Sequence, residues 1–191
     1  LIEALAIEQG DLVLNVGCAT GYAAAVLTQL AGTVVAVESD ADLVTRAGDN
    51  LAKVDIDNVA VIEGPLAEGR ADQGPFAAIL IDGAVEQVPP ALLAQLAPGG
   101  RLACVVQDGP TGKAMLFSEN DGVLGHRPLF DASIPPLPGF ARPTFLLFNS
   151  AVLAIRLNPS RLRLSVLGAR AFGVDPTEAT EIPTVCRVQA G

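Results

Sequence analysis

Short apolar runs separated by polar turns dominate the first part of this chain. Residues 12–16 read LVLNV, residues 33–37 read TVVAV and residues 76–81 read FAAILI. Each run has the length and the Val and Ile content of a buried β-strand. Two further runs, at residues 58–63 and 101–107, complete a predicted set of five strands.

Helix-favouring segments lie between these strands. Residues 22–30 read YAAAVLTQL, Asp40 is placed to cap a helix that ends near Leu51, and a short helix is predicted in residues 89–96. Strands that alternate with helices at this spacing predict an α/β fold, a doubly wound and mostly parallel sheet with helices on both faces.

The alternation ends after residue 107. Residues 113–119 and 123–130 predict a hairpin around the turn sequence Asn-Asp-Gly. The proline-rich residues 134–139 predict a loop, and residues 144–148 (TFLLF) predict a final strand, so the sheet should have an antiparallel C-terminal edge.

We therefore expect a domain at residues 1–148 and an atypical extension at residues 149–191. Within the extension, residues 151–157 and 161–167 predict a hairpin, and a polar tail that could be disordered follows residue 171. The chain begins with Leu1 and opens abruptly on a helix-like segment at residues 1–7, so we expect it to lack its natural beginning.

Charge and cysteine content exclude several classes of protein. The 191 residues carry 12 basic and 21 acidic side chains, a net charge of −9, which disfavours nucleic-acid and anionic-membrane partners. The glycines between Asp11 and Glu38 argue against a membrane span there. Three widely spaced cysteines fit neither a disulfide framework nor a metal site, which favours a reducing cytoplasm.

The segment LVLNVGCATGY, residues 12–22, is the most informative motif. A strand leads through a loop of small residues into a helix, an arrangement that binds nucleotides at the carboxyl ends of parallel strands. The loop amides and the first amides of the helix are expected to face the ligand. Glu38, at the end of the next strand, is placed to accept hydrogen bonds from both ribose hydroxyls.

Two ligand classes use this arrangement. A dinucleotide fingerprint that starts at Gly17 would put Tyr22 at its third glycine position, where a large side chain prevents close helix packing. The alternative, with Gly17, Ala19 and Gly21 at the positions of G-x-G-x-G, resembles the loop of S-adenosylmethionine-dependent methyltransferases. A nicotinamide-dependent oxidoreductase remains as an alternative.

Residues 1–148 resemble the protein-L-isoaspartate O-methyltransferase family more specifically. The strings that carry the resemblance include LNVGCATGY, VVAVESD, VIEGPLAEG, ILIDGAVEQVP and LAPGGRL. The resemblance implies a Rossmann-like methyltransferase fold, S-adenosylmethionine as cofactor, and methylation of the carboxyl group of isoaspartyl residues in damaged proteins. The cofactor-binding positions that it implies are Asn15, Gly17, Cys18, Ala19, Gly21, Glu38, Ser39, Gly64, Pro65, Leu66 and Asp82.

Three positions depart from the family pattern. Asn15 replaces an acid, Ala19 replaces the middle glycine, and Pro65 replaces an acid that accepts from the adenine amino group. These changes favour a further alternative, a catalytically inactive remnant. No catalytic residue is predicted, because the family's substrate-recognition segment lies before the region matched by Leu1.

Single residues also have structural interpretations. Cys18 is interpreted as a loop residue because no base accompanies it. Asp82 could face the substrate or form a turn, and Tyr22 is expected to pack beside the loop.

Overall fold

The computed structural model describes residues 1–107, 109, 111–142, 144–148 and 151–155. The chain divides into two units, Leu1–Ala141 and Arg142–Gly191. The predicted boundary after residue 148 stays a prediction.

The first unit is built on a seven-stranded sheet in the order β3-β2-β1-β4-β5-β6-β7. Strands β1 to β5 run parallel, and one edge is extended by β6, antiparallel to β5, and by β7, antiparallel to β6. The predicted fold class is therefore confirmed. The strands are β1 Leu12–Val16, β2 Thr33–Glu38, β3 Val59–Glu63, β4 Phe76–Val85, β5 Leu96–Val106, β6 Gly112–Asn120 and β7 Val123–Ala132.

Helices cover both faces of this sheet. They are α1 Tyr22–Thr28, α2 Ala41–Ala52 and α3 Pro90–Leu93, with short 3₁₀ helices at Glu3–Leu5 and Leu66–Glu68. Leu27 of α1 is buried in the core on one face, and Leu92 of α3 is buried in the core on the other. Because side chains alternate along β1, its residues contribute to both cores.

Asp40 caps α2 as its sequence position predicts. Its Oδ1 accepts hydrogen bonds from the amides of Asp42 at 2.9 Å and Leu43 at 3.1 Å. The cap fixes the start of α2 at Ala41, a short distance after Glu38 at the end of β2. The hairpin turn is also confirmed, since Asp121 and Gly122 both have positive φ, as a two-residue turn between twisted strands requires.

Several predicted boundaries are wrong. The helix-like opening forms only the 3₁₀ helix Glu3–Leu5. Strand β5 begins at Leu96, ahead of the predicted start at residue 101, and its pairing with β4 shifts register between Phe76 and Ala78. Both misplacements arise because long-range pairing, which local propensity does not contain, decides these segments.

The second unit contains the two-stranded antiparallel sheet of β8 Thr144–Phe148 and β9 Ala151–Ile155. Residues 144–148 are predicted at the edge of the mixed sheet, but they pair with residues 151–155 in this separate sheet. The predicted pairing of residues 151–157 with residues 161–167 stays a prediction. Residues 161–167 and the predicted tail lie outside the described residues.

Candidate functional site

The candidate site lies where the chain order of the sheet reverses. From β1 the chain proceeds outward through β2 and β3, then returns to β4 on the other side of β1. The crevice beyond the carboxyl ends of two such strands is where open α/β sheets bind ligands. The loop after β1 and the bulged end of β4 both meet this crevice.

The loop of residues 17–21 turns sharply between β1 and α1. Gly17, Ala19 and Gly21 have φ values of +78°, +47° and +90°. A Cβ on Gly21 would lie 3.3 Å from the Cβ of Ala47, so glycine allows α2 to approach the loop closely. Ala19 adopts a left-handed conformation that costs a non-glycine residue about 1–2 kcal/mol.

Four amides of this loop already have acceptors within the protein. Those of Gly17 and Cys18 donate to the carbonyl of Val37, at 2.8 and 3.3 Å, and that of Gly21 donates to the carbonyl of Cys18 at 2.8 Å. The amide of Ala19 donates to Glu38. These four amides therefore have protein acceptors, and the expectation that the loop and the first amides of the helix face a ligand stays a prediction.

Glu38 connects the end of β2 to the loop. Only 5% of this residue is exposed. Its Oε2 accepts the amide of Ala19 at 2.9 Å, and its Oε1 accepts the amides of Ser39 at 2.7 Å and Asp40 at 3.3 Å, together with the hydroxyl of Ser39 at 3.3 Å. Since a carboxylate oxygen has about two lone pairs, Oε2 keeps capacity for one more donor whereas Oε1 is saturated.

Asn15 lies on β1 beneath the loop and is fully buried. Neither Nδ2 nor Oδ1 of its side chain has a hydrogen-bond partner among the described residues. Its strand neighbours Ala36 and Leu80 are apolar. A buried amide left unpaired costs about 1–3 kcal/mol per group, so Asn15 lowers the stability of the fold unless a water or ligand pairs with it.

The predicted adenine positions lie beside Glu38. The amide of Gly64 donates to the carbonyl of Glu38 at 2.9 Å, which holds the end of β3 against the end of β2. Pro65 is exposed and immediately precedes the 3₁₀ helix, while Leu66 turns its side chain into the core and is 3% exposed. The structure thus brings residues 64–66 to the same edge as Glu38.

Cys18, which follows β1, and Asp82, on the neighbouring strand β4, both lie at this edge of the sheet. Burial, with the charges of Glu38 and Asp82, raises the pKa of Cys18 to about 11. Asp82 is more than one-third exposed, yet desolvation by its neighbours raises the pKa of its carboxyl. The thiol stays protonated at neutral pH, which agrees with the structural interpretation of Cys18 and excludes it as a ready nucleophile.

Two features of the site were not predicted. Leu137, from the proline-rich loop, packs over Gly17 and Gly83. No periodic signal in the sequence points to this contact. Tyr22 does not pack beside the loop as expected, since 81% of it is exposed at the first position of α1.

Other kinds of site are not found among the described residues. They contain no group of three or more His, Cys, Asp or Glu side chains that could hold a metal ion. No helix within the described part of the chain is both long and apolar enough to cross a membrane.

Solved structures share this architecture. A protein-L-isoaspartate O-methyltransferase superposes with a TM-score of 0.68 over 76% of this chain and 51% of that chain, at 24% identity. A Plasmodium falciparum protein of the same description, solved with S-adenosyl-L-homocysteine, superposes with a TM-score of 0.58 over 72% of this chain and 69% of that chain, at 23% identity. At this level of identity the likeness shows a methyltransferase fold.

Sequence comparison defines the family. Residues 1–129 match the model of Protein-L-isoaspartate(D-aspartate) O-methyltransferase, and the chain belongs to that family. A relative from Koribacter versatilis, named protein-L-isoaspartate O-methyltransferase, is 40% identical over 139 residues, which are 73% of this chain and 63% of the relative. A relative of the same name from Methanoculleus marisnigri is 33% identical over 139 residues, again 73% of this chain and 63% of the relative.

The chain therefore spans about three-fifths of the length of these curated relatives. The family resemblance that the sequence motifs predict is confirmed.

We predict that replacing Asn15 by valine leaves the free energy of unfolding unchanged or raises it by up to about 2 kcal/mol, because the variant removes two unpaired buried groups. Guanidinium unfolding measures the change. The matched control is Asn58→Val. The Nδ2 of Asn58 donates to the carbonyl of Thr28 at 3.0 Å, and loss of this hydrogen bond should lower the free energy of unfolding by about 1 kcal/mol. Destabilisation by Asn15→Val above about 1 kcal/mol would instead reveal a bound partner such as water.

We predict that Cys18 resists alkylation in the folded protein. A pKa of about 11 in place of 9.0 lowers the thiolate fraction about 100-fold at pH 8, and peptide mass spectrometry after iodoacetamide treatment measures the rate. Because the folded pKa lies above the unfolded one, the thiol's contribution to stability is lost as the pH rises from 9 towards 11, and Cys18→Ser should lack that loss. Equal labelling rates in folded and guanidinium-unfolded protein would contradict this prediction.

Proposed function

We propose that this chain binds S-adenosylmethionine at the carboxyl edge of β1, β2, β3 and β4. We further propose that it belongs to an enzyme that transfers the methyl group to the carboxyl of isoaspartyl residues in proteins or peptides. Family membership and the position of the crevice at the reversal of strand order support the proposal. They also favour it over the nicotinamide alternative.

The observation that carries the proposal is the buried carboxylate of Glu38. It is bonded to the loop amide of Ala19 and retains acceptor capacity on Oε2. One ribose hydroxyl can therefore donate to Oε2 without displacing the loop. The proposal therefore gives Glu38 one ribose hydroxyl and not the two expected from the sequence, because Oε1 already accepts from Ser39 and Asp40.

The remaining positions follow from their places around the crevice. The loop would lie at the amino-acid end of the ligand, Ser39 beside the ribose, the end of β3 at the adenine, and Asp82 at the substrate mouth. The proposed set is Asn15, Gly17, Cys18, Ala19, Gly21, Glu38, Ser39, Gly64, Pro65, Leu66 and Asp82.

The proposed methyl transfer requires little acid–base chemistry from these side chains. When bound, S-adenosylmethionine supplies a methyl group made electrophilic by its sulfonium. An ionised carboxyl acceptor has no proton to lose, so the chain's contribution is to align the two groups and exclude water. A protonated Cys18 and a crevice without an assigned base agree with that requirement.

A second candidate is a non-catalytic member of the family. The satisfied loop amides and the packing of Leu137 over Gly17 favour it, because both reduce what the loop offers a ligand. For location we propose the cytoplasm, since Cys18 and Cys104 are buried free thiols.

We predict that S-adenosylmethionine and S-adenosylhomocysteine bind, and that Glu38→Gln weakens both about 10- to 100-fold. The glutamine side chain is uncharged, so the ribose hydroxyl loses a charged acceptor worth about 1.5–3 kcal/mol. Titration calorimetry measures the affinities. The matched control is Glu8→Gln, because Glu8 is exposed and precedes β1, at the end of the strands opposite the candidate site. Absence of binding by the folded wild-type chain at millimolar ligand would count against the proposal.

We predict methyl transfer to an isoaspartyl peptide and none to the same peptide with a normal aspartyl residue. The readout is base-labile radioactive methyl ester formed from labelled S-adenosylmethionine. Binding of the cofactor with no ester on the isoaspartyl peptide would favour the non-catalytic candidate instead.

A further inference from the structure

The proline-rich residues 134–140, called here the proline segment, lie across the carboxyl end of β4. The amide of Ala84 donates to the carbonyl of Pro135 at 2.9 Å, and the amide of Leu137 donates to the carbonyl of Ala84 at 2.8 Å. Ala84 and Pro136 form a parallel bridge. The segment therefore extends the sheet locally at the edge that contains the candidate site.

These bonds place the side chain of Leu137 between two glycines of the crevice. A Cβ on Gly17 would lie 3.0 Å from both Cδ atoms of Leu137. A Cβ on Gly83 would overlap Leu137 Cγ and would lie 2.8 and 3.0 Å from its Cδ atoms. The leucine thus fills the space that side chains at either glycine would need.

The position of Leu137 is fixed from both sides. Pro135, Pro136 and Pro138 restrict the backbone φ of the segment around it. Phe140, the last residue of the segment, is 2% exposed in the core on that face of the sheet. Leu137 is partly buried against the same core, so its side chain is held rather than free to swing away.

Gly17 begins the loop assigned to the amino-acid end of the ligand, and Gly83 follows Asp82 at the substrate mouth. A side chain that contacts both glycines lies between those two regions, where the group carried by the sulfonium meets its acceptor. Leu137 presents an apolar wall there, which excludes water and limits volume.

We propose that Leu137 is a specificity-determining residue that sets the size of the alkyl group and acceptor admitted at the transfer end of the crevice. The inference rests on the proposed binding of S-adenosylmethionine. It goes beyond that proposal because it assigns the limit on size to one side chain from the proline segment.

The test compares wild type, Leu137→Ala and Leu137→Met by titration calorimetry. The ligands are S-adenosylmethionine, its analogue with benzyl in place of the transferable methyl, and 5′-methylthioadenosine, which lacks the amino-acid part. One methylene in an apolar pocket changes discrimination by about 10–200-fold. Leu137→Ala should therefore gain at least about 10-fold in affinity for the benzyl analogue relative to S-adenosylmethionine. Its affinity for 5′-methylthioadenosine should stay within about 3-fold of wild type.

Leu137→Met keeps the volume and should keep the wild-type preference. Leu129→Ala, which removes another partly buried leucine on the distant edge strand β7, should also keep it. Circular dichroism establishes that each variant is folded. If Leu137→Ala does not fold, Gly83→Ala, which forces Leu137 to move, should change the same preference.

The outcomes separate the two proposals. Wild-type binding of S-adenosylmethionine with an unchanged analogue preference in Leu137→Ala, or in Gly83→Ala where that variant replaces it, overturns the role of Leu137 and leaves the cofactor site standing. If neither wild type nor any folded variant binds S-adenosylmethionine or 5′-methylthioadenosine, the proposed function is overturned, and the inference that rests on it is overturned as well.

Discussion

The bond between the Glu38 carboxylate and the amide of Ala19 holds the candidate site together. It joins the end of β2 to the loop that follows β1, and the same carboxylate organises the start of α2 through the amides of Ser39 and Asp40. The carbonyl of Val37 adds two bonds to the loop from the same strand. Because both groups come from the end of β2, the register between β1 and β2 sets the shape of the loop.

In the proposed function, this arrangement gives one side chain both a structural role and a binding role. A carboxylate with only 5% exposure is costly unless its oxygens are satisfied, and four donors satisfy it here. The remaining capacity on Oε2 is what a ligand can use. The loop structure and the proposed ligand binding therefore depend on the same carboxylate. A change at Glu38 is expected to alter the loop as well as the affinity for the ligand.

Local signals in the sequence predict the part of the site that depends on interactions between residues close together in the chain. Apolar runs locate the parallel strands, the Asp40 side chain marks the start of α2, and small residues mark the loop. The contact of Leu137 with Gly17 joins residues far apart in the chain, and nothing in a proline-rich string indicates which strand end it will cover. The pairing of β8 with β9 is missed because several strand-like segments compete there and local pattern does not rank them.

The charges at this edge also bear on the proposed acceptor. Glu38 and Asp82 both lie there, and both raise the pKa of Cys18, which shows that their fields overlap. Such an edge attracts a cationic sulfonium and repels a carboxylate acceptor. The neutral amide of Asn15 adds no further negative charge beneath the loop. In the proposed complex, Asn15 lies where the family resemblance implies an acid, so it weakens the attraction for the cofactor and, by the same electrostatics, eases the approach of a carboxylate.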